Sequence, residues 1–185
     1  MKARMRVLFC VSMFVIATGF AAAQATDDAE HDINIDINHV AMIDLDDAAP
    51  MALTTNDPAT AGLVFTGDTD NRRLFYTLLT ASTTSITAEL IDGGGIYDVT
   101  PPAGTLLYLE ATSVTGTGTP GGSSGQITLD NTAQDIIDTI GTCYTGDAAP
   151  GGAVLLYTLA IDDPSLVVAD DSAAMHVVFT LTSSL

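Results

Sequence analysis

The residues best suited to chemistry are carboxylates, and they lie in segments typical of turns. Residues 67 to 71, Gly-Asp-Thr-Asp-Asn, bring Asp68, Asp70 and Asn71 close together, and calcium prefers such hard oxygen ligands. A second acidic group comprises Asp162, Asp163, Asp170 and Asp171. Neither group has the spacing of a complete calcium loop with its terminal glutamate. Two interpretations stand side by side: Asp68, Asp70 and Asn71 bind calcium, or they are solvated turn residues, which a chain so rich in Asp favours.

Residues 121 to 125, Gly-Gly-Ser-Ser-Gly, match the G-x-S-x-G pattern of serine hydrolases. Asp138 and His176 follow in the chain order that such enzymes use. A nucleophilic serine of this kind sits between a strand and a helix. Here the pentapeptide ends a loop rich in Gly, Thr and Ser and precedes a predicted strand. The context favours a flexible loop at Ser123, so we expect no catalytic residues and rank a hydrolase third among the candidate functions.

Soft-metal binding and sugar stacking find little support in the sequence. Cys143 has no partner at C-x-x-C spacing, and the three histidines are scattered, so we expect no transition-metal site. Tyr97, Tyr108 and Tyr144 could stack on sugars, but the chain contains no tryptophan. We therefore expect no cofactor, with calcium as the one open alternative.

The N-terminus has the three parts of a secretory signal peptide. A basic start is followed by an apolar run from Val7 to Phe20 and then by alanines suited to cleavage. This run is shorter than the roughly 20 residues that a membrane-spanning helix needs. We expect residues 1–25 to be removed, with cleavage after Ala23 or Ala25. The mature chain, 26–185, is then secreted, periplasmic or attached to the cell surface, without a membrane span.

The expected mature chain is strongly acidic. Arg72 and Arg73 are its only basic residues against 23 acidic ones, so its formal charge is −21. Such a surface repels nucleic-acid phosphates and anionic lipids, because their binding depends on Lys and Arg that displace counterions. Cys143 is the only thiol left, so no disulfide within the chain can stabilise it. We expect no nucleic-acid partner and a fold stabilised by its hydrophobic core.

The segment from Asp32 to Asp46 has the clearest pattern in the chain. Apolar residues dominate its odd positions and Asp or Asn most of its even ones, which is the alternation of a strand with one buried face. The large apolar residues of that face are Ile33, Ile35, Ile37, Ile43 and Leu45. Val40 and Met42 interrupt the polar face, which indicates a bulge near His39 or a stretch covered on both sides.

Weaker alternation predicts further strands towards the C-terminus. They lie near residues 63–66, 74–79, 86–90, 107–111, 127–129, 155–161 and 175–181, and turn-forming segments separate most of them. Residues 131–140 are the exception, because Ala133, Ile136, Ile137 and Ile140 follow helical spacing. We therefore predict a single all-β domain, a sandwich or a barrel, with one short helix near 131–140.

Three segments carry a resemblance to uncharacterised secreted proteins of Bacteroidota. They are residues 31–46, Gly125-Gln126-Ile127-Thr128-Leu129, and Val178-Phe179-Thr180-Leu181-Thr182. The chain is more distantly similar to fimbrial-subunit and spore-coat-U-like β-sandwich domains. This resemblance covers nearly all of the expected mature chain and implies an immunoglobulin-like antiparallel sandwich in a filament or surface-layer subunit. The chain lacks the cysteine pair and the C-terminal aromatic residue of chaperone-usher pilins, so no functional residues are carried over.

The length of the N-terminal strand independently suggests self-assembly. Extended at about 3.3 Å per residue, Asp32 to Asp46 would reach roughly 50 Å, whereas a compact domain of this size is about 40 Å across. Either the strand bends near His39 and serves both sheets of one sandwich, or its first half completes the sheet of a neighbouring copy. Burial of its five large apolar residues is worth on the order of 7 to 15 kcal/mol, so that face will not stay in water.

These observations favour a secreted structural or adhesive cell-surface protein, such as a fimbrial or filament subunit, over an enzyme. The candidate partner is a second copy of itself, through exchange of the N-terminal strand; the arrangement within one chain is the favoured one of the two, because monomeric sandwiches commonly start with such a strand. The alternative is a secreted module that binds a glycan or calcium.

Overall fold

The structure is a computed structural model that describes residues 37 to 181 apart from 38, 57, 59 and 62. The expected signal peptide, residues 1–25, lies outside the described residues, as do Ile33 and Ile35 of the predicted assembly strand. Within the described part, no helix is long and apolar enough to cross a membrane.

The described chain forms two packed antiparallel sheets, so the all-β prediction is confirmed. Its strands are β1 Val40–Leu45, β2 Thr69–Leu79, β3 Thr84–Leu90, β4 Thr105–Thr115, β5 Thr117–Gly118, β6 Gly122–Ser123, β7 Ile127–Thr128, β8 Gln134–Ile140, β9 Cys143–Tyr144, β10 Gly152–Ile161 and β11 Val177–Leu181. The first sheet has the order β5-β9-β2-β10-β4-β7, and β1 also pairs with β2. The second sheet has the order β11-β3-β8-β6.

The hydrophobic core lies between the two sheets and is built from alternate residues of the central strands. Because successive side chains of a strand point to opposite faces, each long strand contributes every second residue. The apolar core residues are Leu74, Tyr76, Leu78, Ile86, Ala88, Leu90, Leu107, Leu109, Ala111, Leu129, Ile136, Ile137, Ile140, Cys143, Ala153, Leu155 and Tyr157. The predicted strands near 74–79, 86–90, 107–111 and 155–161 are thus present with their apolar faces inward.

The predicted helix near residues 131–140 is wrong, because the chain there forms strand β8. The register between β8 and β3 shifts twice, so β8 carries one extra residue at Ile136 and another next to Thr139, whose φ is +57°. Such bulges break the two-residue period of a strand. Ile136 and Ile137 are therefore both buried although they are consecutive, and the apolar spacing imitates that of a helix.

The N-terminal strand is shorter in the described residues than the alternation predicts. β1 begins at Val40, and His39 and Ile37 precede it. Ile37 is 76% exposed, whereas Ile43 and Leu45 are half-buried and pack against the core. The inward face of β1 is thus the predicted one, and Ile37 does not take part in the core of its own copy.

Strands at the edges away from β1 are very short. β7 ends the first sheet beside β4 and spans Ile127–Thr128, and β6 ends the second sheet beside β8 and spans Gly122–Ser123. Short edge strands are a common protection against pairing with other chains.

Candidate assembly edge

Both sheets end in a substantial edge strand on the same side of the sandwich. β1 pairs with β2 over its whole length, and no strand among the described residues pairs with its other edge. β11 is likewise the last strand of the second sheet and pairs with β3. β1 and β11 lie near each other across the sandwich. We call this side, formed by β1 and β11, the open side.

The backbone of β1 presents hydrogen-bonding groups to the open side. The Asp46 N–H donates to the Arg73 carbonyl over 2.9 Å, so the backbone groups of Asp46 point towards β2. In an antiparallel pair the backbone groups of alternate residues point to opposite edges, so those of Ile43 and Leu45 point away from β2, towards the open side. The Leu45 N–H is covered by the Asp44 carboxylate, whose Oδ1 accepts it over 2.9 Å. At the Leu45 end of β1, the Asp44 carboxylate therefore occupies the backbone donor that a further strand would need. The unprotected stretch of β1, where no described strand pairs, lies towards Ala41 and Ile43.

Inward-facing side chains at the open side are only half-buried. Ile43 of β1 and Phe179 of β11 pack against the core but remain partly exposed, and Ala41 is exposed. The equivalent side chains of β2 and β3, such as Leu74 and Ile86, are at most 1% exposed. Within the described part of the chain, the core is therefore fully covered at the centre of the two sheets and incompletely covered between β1 and β11.

An open edge of this kind can accept an extended peptide. Main-chain hydrogen bonds to the edge supply affinity, while alternate side chains enter the gap between the sheets and supply specificity. The sequence predicts the inward apolar face of β1 from its alternation, with Ile43 and Leu45 on that face, and it does not predict that the other edge of β1 stays open. It did not identify β11 as the second wall, although the alternation of Val177, Phe179 and Leu181 was visible, because nothing local says which strands become edges.

The candidate calcium ligands lie at the start of β2 and do not converge. Asp70 and Asn71 are consecutive in β2, so their side chains leave opposite faces of the strand. The Asp70 carboxylate accepts the Asn71 N–H over 2.7 Å and lies 3.6 Å from the Arg72 guanidinium. Asp68 accepts the Thr69 N–H. No group of three or more His, Cys, Asp or Glu side chains able to hold a metal occurs in the described part, and calcium binding remains a prediction.

The serine motif is not joined by the histidine that followed it in sequence. Ser123 lies in β6 and its Oγ accepts the Gly125 N–H over 3.1 Å. His176 directly precedes β11, at the opposite edge of the same sheet, and stacks on Tyr97 with ring centroids 4.9 Å apart. With β8 and β3 between them and about 4.8 Å between neighbouring strands, the two residues are separated by roughly 14 Å or more.

The three candidate sugar-stacking tyrosines are also dispersed. Tyr97 lies in the loop after β3, Tyr108 is half-buried in β4, and Tyr144 of β9 is 57% exposed. Tyr144 and Met42 both pair with Thr77, so the two exposed side chains flank it on the outer face of the first sheet. We call Met42, Thr77 and Tyr144 the Met42–Thr77–Tyr144 row. It is the one place among the described residues where an exposed tyrosine lies on the outer face of a sheet.

Cys143 belongs to the core and we expect its thiol to be unreactive in the folded protein. It is 4% exposed, and burial raises the pKa of the thiol, an effect that a hydrogen bond with the Leu78 backbone opposes. Since the thiolate is the reactive form, alkylation by iodoacetamide at pH 8 should be slower than in urea-unfolded protein by on the order of 100-fold. Mass spectrometry of time points measures both rates. Equal rates would contradict the burial of Cys143.

The open side therefore differs from the other candidates, because it unites several groups that can act on one partner. Ala41, Ile43 and the half-buried residues of β11 offer backbone pairing and an apolar gap together.

Comparisons of the chain with protein-family models, with curated proteins and with solved structures found no match.

Proposed function

We propose that this protein is a secreted structural or adhesive subunit of the cell surface that associates with copies of itself through strand addition at the open side. The proposal rests on the incompletely covered core between β1 and β11. A sandwich that functions as a separate monomer gains stability by closing such a gap, whereas a subunit that receives a strand from a neighbour needs it open.

The donor in this proposal is the alternating segment that contains Ile33, Ile35 and Ile37. Ile37 is highly exposed just before β1, so it is available to a second copy. The isoleucines of this segment recur at every second position, as Ala41 and Ile43 do on the unprotected stretch of β1. Donor and acceptor thus share the same two-residue period and an apolar face.

Export and fold class form part of the same proposal. The signal peptide at residues 1–25 supports secretion to the periplasm or the cell surface. Two antiparallel sheets with connections that cross from one to the other support an immunoglobulin-like arrangement. The formal charge of −18 for the whole chain favours solubility between assembly events, because like-charged copies repel at long range.

Self-association is tested by replacing two donor isoleucines. In the variant Ile33→Ser with Ile35→Ser, each lost side chain removes about 1.5 to 3 kcal/mol of apolar burial. The association constant should therefore fall on the order of 100-fold or more, with loss of the oligomers or filaments of the wild type. Sedimentation velocity and negative-stain microscopy measure the assembly. Thermal unfolding at a concentration at which the wild type is monomeric measures the fold, and the Tm should be unchanged there, because association itself raises the Tm.

The matched control replaces the polar face of the same segment, Asn34→Ser with Asp36→Ser, and should assemble like the wild type. The proposal fails if the wild type is monomeric at all concentrations and the isoleucine variant has a lower Tm. That result would mean that the isoleucines close the sandwich within one chain. Monomers that retain a glycan on the Met42–Thr77–Tyr144 row would favour the alternative function, a ligand-binding module.

A further inference from the structure

One end of the sandwich differs from the rest of the surface. Here β4 begins and β10 ends, as the pair Thr105 and Ile161 shows, and β3 ends beside the start of β11. Backbone hydrogen bonds from Leu90 to Asp130 and from Leu129 to Leu107 join the two sheets at this level. The loops of this end are residues 63–68, 91–104, 129–132 and 162–176, and we call it the loop end.

Most of the exposed large apolar side chains of the described chain lie at the loop end. They are Leu63, Val64, Ile96, Tyr97, Leu166 and Val168. The others, Ile37, Met42 and Tyr144, belong to β1 and its surroundings or to β9. Exposed apolar residues scattered singly need no explanation, whereas a concentration of them on one surface marks an interaction site.

An apolar groove lies within this end. Its walls are Val64, Phe65, Leu159, Ile161 and Pro164, with the backbone of residues 66 and 67 between them, and its volume is about 360 Å³. The segment before β2 passes so close to β10 at residue 67 that a side chain there would strike the Leu159 carbonyl. The groove therefore lies where the segment before β2 packs closely against the end of β10.

Carboxylates flank the lining residues of the groove in sequence, and no Lys or Arg of the described loops at this end lies beside them. Asp68 directly follows residue 67, and Asp162 and Asp163 separate Ile161 from Pro164; we call these three residues the acidic border. Asp163 is held as an anion, because hydrogen bonds from the Ser165 side chain and backbone N–H lower its pKa. None of the loops at this end contains Lys or Arg. Arg72, the nearest cation in sequence, contacts Asp70 instead.

We propose that the loop end binds a cationic amphipathic segment of a partner protein, with an apolar side chain in the groove and basic side chains against its acidic border. The charge of the border selects this partner. Anionic lipids, nucleic acids and a second copy of this acidic chain would all meet electrostatic repulsion here. An uncharged apolar partner would leave the carboxylates of the border without compensation, and their desolvation would oppose binding.

Binding is tested with a short amphipathic peptide of Lys and Leu that carries one Trp. Because the protein contains no Trp, the emission of the probe reports the contact without background. We expect a saturable blue shift that weakens as salt is raised. The variant Val64→Ser with Pro164→Ser, which changes two exposed walls of the groove, should bind at least about tenfold more weakly, since two apolar contacts are lost, and Asp162→Asn should reduce the salt dependence.

Two controls separate a site from general attraction to an acidic protein. A peptide of the same charge with Ser in place of Leu should bind much more weakly, and Met42→Ser, which changes an exposed apolar side chain on β1, should leave binding unchanged. Equal binding of both peptides, or an equal loss in Met42→Ser, would overturn the proposal. Self-association through the open side can fail without affecting this result, because Ile33→Ser with Ile35→Ser should still bind the probe.

Discussion

Replacing Leu109 by alanine is expected to lower the free energy of unfolding by about 3 to 5 kcal/mol, a large part of the net stability of a small domain. Leu109 is fully buried in β4, where it pairs with Tyr157 of β10 and with Ile127 of β7. The truncated side chain would leave a cavity between two sheets whose backbones are fixed by hydrogen bonds on both sides, so the gap cannot collapse. Urea titration followed by far-UV circular dichroism measures the change.

Met42→Ala is the matched control for that measurement. Met42 is 66% exposed on the outer side of β1, and substitutions at such surface positions usually change stability by less than about 0.5 kcal/mol. If Leu109→Ala were as mild as Met42→Ala, β4 would not be a central strand of the core.

Alkaline pH should unfold this protein through two buried tyrosines. Burial raises the pKa of Tyr76 and of Tyr157 above the usual range; the Cys143 thiol adds to the rise at Tyr76, whereas the Arg72 cation opposes it at Tyr157. The folded state then holds these protons more tightly than the unfolded state. The stability that depends on them is complete below a pH of about 10 and falls above it, by about 1.4 kcal/mol per pH unit for each tyrosine.

Tyr157→Phe isolates this effect, because it removes one of the two titrating phenols. Its stability should fall less steeply than that of the wild type between about pH 10 and 12, by about 1.4 kcal/mol per pH unit, because Tyr76 and the Cys143 thiol still titrate; Tyr144→Phe, at an exposed position, should follow the wild type. Urea titrations at a series of pH values provide the slopes. Identical slopes in all three proteins would contradict the burial of Tyr157. Tyr76 is less suited to the test, since its hydroxyl donates a hydrogen bond to the Pro120 carbonyl and its loss leaves that carbonyl unpaired.

The central strands were predictable because their burial follows a simple period. Residues such as Leu74, Tyr76 and Leu78 alternate with half-exposed neighbours over several positions, and this regularity is a property of a single segment. The two-residue strands β5, β6 and β9 were not predicted. They exist through pairing with distant partners, as when Tyr144 pairs with Thr77, and no local pattern contains that information.

β8 was mistaken for a helix for a related reason. Its apolar residues are spaced by the bulges at Ile136 and beside Thr139, and a bulge is created by the partner strand β3. Composition alone gave a hint, since β-branched residues make up most of the stretch from Ile136 to Ile140 and favour strands. In this segment the β-propensity of the residues indicates the strand better than their helical spacing does.

The candidate site was predictable in its apolar face and not in its surroundings. Alternation correctly placed Ile43 and Leu45 towards the core. The position of β11 beside β1 depends on tertiary structure. The same holds for the loop end, where Val64 and Pro164 are a hundred residues apart in sequence and line one groove.

The short strands β6 and β7 at the far edges have a geometric consequence for the proposed assembly. Two-residue edges offer too little backbone to hold a guest strand, so in the proposed assembly each subunit uses one acceptor among the described strands, the open side, and one N-terminal donor. Each subunit of this assembly therefore makes two contacts with other copies, one as donor and one as acceptor. Such units link head to tail into unbranched fibres or close into rings, and they do not form two-dimensional lattices.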